Sequence, residues 1–240
     1  MQKFVISPTR HPERLARFRA VNAHVSDVQH YPGVDAADMS VEDMKRRALV
    51  SETCNFPPAV VAQALSHVAL WGNVAQSGAA AMVFEDSAVL CANFDAESAR
   101  LAATLPHDWD IVLWGSNCQG IFQHEVQPGF VINIASFPGQ NESPIATAFG
   151  DQHVTSSLFR LVQTLAPCGY AISPAGADKM IKGCLPLKSV GLSLICAGGN
   201  YVMAESLDMI MNSYYADMAS YVAFPPLCLL PEAMTMVGNN

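Results

Sequence analysis

Basic side chains are scarce in this chain: 13 lysines and arginines stand against 21 acids, a formal charge of −8 over 240 residues. That balance gives no general grip on nucleic-acid phosphates or anionic headgroups, so nucleic acid is not an expected partner. Any anionic substrate must be held by a few placed cations, and Arg10, Arg14, Lys179, Lys182 and Lys188 lie near expected element ends. No run approaches the ~20 apolar residues of a membrane span, and the apolar stretch near Met1 is too short for a signal peptide. The expectation is a cytoplasmic protein with no transmembrane segment. The seven cysteines, at 54, 91, 118, 168, 184, 196 and 228, include no Cys-x-x-Cys pair. A zinc knuckle, a redox motif and a secreted disulfide framework are thereby disfavoured, and reduced thiols are expected. No glycine-rich phosphate loop follows the first expected strand, where Ser7-Pro8-Thr9-Arg10 stands instead, which weakens a nucleotidyltransferase reading. Repeats, coiled coils and low-complexity tracts are also missing.

What is present is apolar: 51% of residues are hydrophobic, enough to build one large core, and residues 1–240 read as a single domain. Lys3 to Ser7 reads as a strand and Pro12-Glu13-Arg14 opens a helix. Ser40-Val41-Glu42-Asp43 resembles a capping box. Val61, Ala64, Leu65, Val68 and Trp71 form one face of a long helix stopped by Gly78. Strands are expected at Ala80 to Phe84, Asp110 to Gly115, Gly129 to Ala135, Gly169 to Ser173 and Tyr221 to Phe224. Helices are expected over Asn93 to Leu105, from the Ser173-Pro174 cap to Gly183, and from Ser206 to Tyr215. Residues 136 to 151 read as a long loop, either a lid or an ordinary surface connection. Strands this apolar, alternating with helices, predict an α/β fold with a mostly parallel central sheet covered by helices on both faces.

The apolar run Ala79 to Phe84 stops at Glu85-Asp86-Ser87 before resuming at Ala88-Val89-Leu90. Two adjacent carboxylates thus stand at the end of a buried strand, where open α/β sheets bind ligands. Paired acids there suit a divalent cation with a nucleotide diphosphate, or acid/base work; a solvated polar turn is the alternative.

Several blocks, taken in order, resemble glycosyltransferase family 25, the lipooligosaccharide and lipopolysaccharide biosynthesis group. They are Phe4-Val5-Ile6-Ser7 with Arg10 and Pro12-Glu13-Arg14; Ala64-Leu65-Ser66-His67 with Trp71; Glu85-Asp86-Ser87; and Trp109 to Gly115. Further on come Gly169-Tyr170-Ala171-Ile172-Ser173 with Gly176-Ala177, Leu207-Asp208, and Phe224-Pro225-Pro226-Leu227. Together they reach from residue 3 to about 228, apart from the loop at 136 to 151.

The resemblance implies a GT-A-like fold, a UDP-sugar donor carrying galactose or glucose, and a glycan or lipid-linked acceptor such as lipopolysaccharide core. It also implies peripheral action at the cytoplasmic face of a membrane. Donor binding falls to Ser7, Arg10, Arg14, His67, Glu85, Asp86 and Lys188, catalysis to Asp86 and to Asp208 as the base. Mn²⁺ or Mg²⁺ would sit at Glu85, Asp86 and Ser87. The family's motif has three consecutive acids and Ser87 is neutral. Three outcomes follow: Glu85 or Asp86 takes over ligation, which is favoured; Arg10 or Lys188 replaces the metal; or transfer is lost, leaving a silent nucleotide-sugar binder or assembly protein. His67 is expected to pack beneath the site or to bond a neighbouring backbone group.

Overall fold

A computed structural model of the chain describes residues 1–117, 121–135, 148–194 and 199–230. The strands are β1 (Gln2–Ser7), β2 (Val28–Pro32), β3 (Ala81–Glu85), β4 (Val89–Leu90), β5 (Ile111–Asn117), β6 (Ile121–Gln127) and β7 (Phe130–Ala135). They continue with β8 (Ser157–Thr164), β9 (Pro167–Ile172), β10 (Gly191–Leu194), β11 (Asn200–Met203), β12 (Ser220–Phe224) and β13 (Cys228–Leu230). The helices are α1 (Pro12–Val21), α2 (Val41–Arg46), α3 (Pro58–Ser77), α4 (Phe94–Ala102), α5 (Pro174–Cys184) and α6 (Leu207–Met211).

One sheet runs in the order β2-β1-β3-β9-β5-β12-β8-β6-β7, with β13 beside β5 and β4 beside β13, and β10 pairs separately with β11. In its centre β2, β1, β3, β5 and β12 all point the same way, and β9 alone opposes them between β3 and β5. The mostly parallel centre is therefore present, interrupted by one reversed strand and extended by the antiparallel β8, β6 and β7.

Side chains alternate across a strand, and the central strands feed two separate cores. Ala81, Val83, Ile111, Leu113, Tyr170, Ile172 and Val222 join α3, α5 and α6 on one face. Met82, Phe84, Val112, Trp114, Ala171 and Ala223 join Phe18 of α1 and Phe94 and Leu101 of α4 on the other. Both faces being covered explains why these strands read as continuous apolar runs.

Local signals placed several boundaries. The Ser173 hydroxyl accepts the Gly176 N–H at 3.0 Å, Ser40 accepts from Asp43 N–H at 3.3 Å, and Gly78 ends α3 in the left-handed region at φ 69°. Other boundaries shifted. The helix expected to reach Leu105 stops at Ala102, and the stretch from Ser206 to Tyr215 holds only the five-residue α6 before a short 3₁₀ turn at Tyr215–Asp217. Strands β6 and β8 carry polar residues on both faces and gave no alternation to read. Most of the loop expected at 136 to 151 lies outside the described residues. No helix among the described residues is long and apolar enough to cross a membrane.

Candidate functional site

Strands β1 and β3 end side by side, with Ile6 opposite Glu85, so Ser7 and Asp86 emerge together at the carboxyl edge. The Ser7 carbonyl accepts His30 Nε2 at 2.8 Å and the Gly33 N–H at 3.1 Å, which folds the segment after β2 over the strand end. Ser66 of α3 then accepts the Val34 N–H at 2.8 Å. At these strand ends Ser7 Oγ and Asp86 Oδ2 are both buried without a hydrogen-bond partner among the described residues. Buried polar atoms are nearly always paired, so two unpaired ones at neighbouring strand ends call for an explanation.

The two acids do not act as a fork. Glu85 accepts from Gln63 Nε2 of α3 at 3.1 Å, whereas Asp86 Oδ1 pairs with Arg14 of α1 at 2.5 Å. Helices α3 and α1 lie on opposite faces of the sheet, so the period-two alternation of a strand has sent neighbouring carboxylates apart. The Asp86 side chain is 2% exposed, while half of Arg14 remains in water and covers it.

Burial pushes the Glu85 carboxyl up to about 7, with the negative fields of Asp208 and Asp86 adding to it and Arg14 and Gln63 opposing. The native state thus holds this proton more tightly than the unfolded chain does. Stability from this group is fully present below the ordinary value of 4.5 and is lost as pH rises through about 7. Glu85→Gln is expected to raise Tm at pH 8, by about 1–3 kcal/mol of stability after allowance for solvent screening of a half-buried group, and to change little at pH 4.5. Thermal melts at the two pH values check this, and equal shifts at both would refute it.

Asp208, 122 positions beyond Asp86 in the chain, reaches the same neighbourhood, as its effect on Glu85 shows. Its Oδ2 accepts the Ala166 N–H at 2.9 Å, just ahead of β9, and its Oδ1 accepts the Ser206 hydroxyl. Beneath Glu85, Tyr170 of β9 meets α3: its oxygen lies 2.8 Å from His67 Nδ1 and accepts Trp71 Nε1–H at 2.8 Å. His67 thus lies buried beneath Glu85, one of the two placements expected of it, and its bond goes to a side-chain hydroxyl rather than to a backbone group. Burial pushes its imidazole down to about 4, so it is neutral at physiological pH.

The remaining cations are dispersed. Arg10 is engaged by Asp35 at 2.6 Å and Asp38 at 2.8 Å. Lys179 clamps the fully buried Asp110 at 2.6 Å, at the start of β5 and hence at the opposite edge from Glu85, and Lys182 pairs with Asp178 on its own helix. Lys188 is half-buried beside the bridge that joins Val50 to Leu187. Gln63 escaped the sequence reading; its only signal was a place one helical turn before His67. A cavity of about 370 Å³ lined by Arg100, Leu105, Ser157 and Tyr221 includes none of the acids, and its arginine is already held by Glu97.

Among the described residues no three His, Cys, Asp or Glu side chains converge to hold a metal ion by themselves. Glu85 and Asp86, expected to ligate as neighbours, are directed to opposite faces of the sheet and are not a joint ligand pair, and only Asp86 meets a lesser demand. Mg²⁺ commonly takes one or two carboxylates and completes its shell with substrate phosphates, and Asp86 Oδ2 is an oxygen without a partner among the described residues. Ser87 adds no charge.

A sequence model described as "Glycosyltransferase family 25 (LPS biosynthesis protein)" matches residues 1–190. Asp208 and the last strands lie beyond that match. No curated protein matches the chain. Among solved structures, a mannose-1-phosphate geranyltransferase from Thermus thermophilus aligns over 95% of this chain and 73% of its own, at 10% identity and a TM-score of 0.37.

Proposed function

Since the chain belongs to glycosyltransferase family 25, we propose that it moves a hexose, galactose or glucose, from a UDP-sugar to a glycan acceptor such as lipopolysaccharide core, at the carboxyl edge of β1 and β3 in a GT-A-like arrangement. The observation that carries this placement is the pair of unpartnered buried oxygens, Ser7 Oγ and Asp86 Oδ2, at adjoining strand ends under a half-exposed cation, Arg14. The donor's diphosphate would take Arg14 as a counter-ion and Ser7 as a hydroxyl donor. With Arg14 drawn onto phosphate, both Asp86 oxygens become available.

Asp86 would then hold Mn²⁺ or Mg²⁺, which when bound supplies positive charge for the leaving diphosphate. Gln63 orients Glu85. Asp208 is the base: its two accepted hydrogen bonds fix the carboxylate, and a carboxylate has about four acceptor sites, so lone pairs remain for the acceptor hydroxyl's proton. Action at the cytoplasmic face of a membrane belongs to the same reading.

Calorimetry with UDP-galactose and UDP-glucose tests it. Affinity is expected to rise at least tenfold with Mn²⁺ relative to chelator; equal affinity would reject the metal, and no binding of either would reject the donor class. A second reading, a silent nucleotide-sugar binder, is favoured by one observation: Ser87 stands beside an Asp86 that a cation already neutralises. Tight binding without UDP release on prolonged incubation with acceptor glycans would select it.

A further inference from the structure

The Tyr170 hydroxyl sits between a group that can only donate and a group that can do either. Trp71 Nε1–H has no acceptor capacity and fills one of the tyrosine's lone pairs at 2.8 Å. The hydroxyl's own proton then needs an acceptor, because a buried O–H left without one loses its hydrogen bond to water and gains nothing. Within reach among the described residues that acceptor is His67 Nδ1, also at 2.8 Å. Trp71 is wholly buried and Tyr170 is 4% exposed, so water is a poor substitute for either.

We propose that Tyr170 is a positioning residue: the chain Trp71 N–H to Tyr170 O–H to His67 Nδ1 locks the imidazole in the neutral form protonated on Nε2, and offers that N–H to an oxygen of the sugar-nucleotide donor. The placement of His67 supports its second half. Gln63, one turn earlier on the same face of α3, already reaches Glu85, and His67, a residue 9% exposed, has no described partner on Nε2. Burial keeps the imidazole uncharged and holds the tyrosine proton in place, which suits a fixed donor rather than a proton carrier. The use of the N–H rests on the proposed function; the lock itself does not.

Nitrogen-15 NMR of histidine-labelled protein at pH 7.5 tests both halves. In the free wild type, His67 is expected to show a protonated Nε2 and a bare Nδ1; a protonated Nδ1 or a charged ring overturns the lock. Tyr170→Phe is expected to shift His67 toward a mixture of the two neutral forms. It should also weaken UDP-galactose or UDP-glucose binding by about twofold, since an even mixture leaves half of the molecules with the Nε2–H in place. Should that variant fold poorly, the wild-type spectrum still decides the lock. Addition of UDP-sugar with Mn²⁺ should move the His67 Nε2 signal. Binding that leaves it unmoved overturns the donor contact while the transferase reading stands. Absence of binding by both sugars removes the transferase reading and the contact together, with the free-protein spectrum still deciding the lock.

Discussion

Gly115→Ala is expected to destabilise the protein by about 4 kcal/mol or more, lowering Tm by roughly 10 °C or abolishing cooperative unfolding. Gly115 lies within β5, and Cys228 of β13 pairs directly with it. A Cβ at this position would meet the Cys228 carbonyl oxygen at 1.7 Å and its carbon at 2.7 Å. Both are backbone atoms of a strand pinned on its other side by β4, so no side-chain rotation relieves the clash. Overpacking in a core ordinarily costs about 1–3 kcal/mol, and a backbone collision that unseats a strand exceeds that. Gly72→Ala is the control. Gly72 is inside α3 with nothing within 4 Å of a built Cβ, so the same substitution is expected to raise stability by about 0.5–1 kcal/mol. Circular-dichroism melts of the two variants should move in opposite directions; a wild-type Tm for Gly115→Ala would mean that β13 does not sit against β5.

Asp208→Asn is expected to lower kcat by about 10²–10⁴-fold while donor affinity changes less than threefold, since a positioned base contributes in that range and an amide cannot take a proton. The neutral variant keeps a carbonyl oxygen that can accept the Ala166 N–H, but its amide nitrogen cannot accept the Ser206 hydroxyl. A modest stability loss of about 1 kcal/mol is therefore expected alongside the kinetic effect. A second readout separates electrostatics from structure. Asp208 is the strongest charged neighbour raising the Glu85 value, so removing its charge should lower the Glu85 titration midpoint from about 7. NMR titration of Glu85 in the variant checks this. Near-normal turnover with intact donor binding would remove Asp208 from the role of base, whatever happens to Glu85.

Sequence and structure divide the site between them along a physical line. Apolar runs such as Ala80 to Phe84 and Ile111 to Trp114 announced strands buried on both faces, because period and hydrophobicity are properties of neighbouring residues. Ser173-Pro174 and Gly78 announced helix ends for the same reason. The end of the acidic strand was legible too, since a cluster of polar residues that interrupts an apolar run marks a strand end or turn.

Tertiary structure decided what those residues touch. Nothing local reveals that β9 inserts antiparallel between β3 and β5, which is what brings Tyr170 beneath Glu85 and carries Ala166 to Asp208. Nothing local shows that Arg14 closes over Asp86 while Arg10 is spent on Asp35 and Asp38, or that Lys179 serves Asp110 at the far edge. Charges of one sign look alike along a sequence, and only strand order and helix placement assign each a partner. By itself the sequence determined a doubly covered sheet with acids at one strand's end. Which of those acids is shielded by an arginine, and which is crowded by a third carboxylate, followed from pairings between residues far apart in the chain.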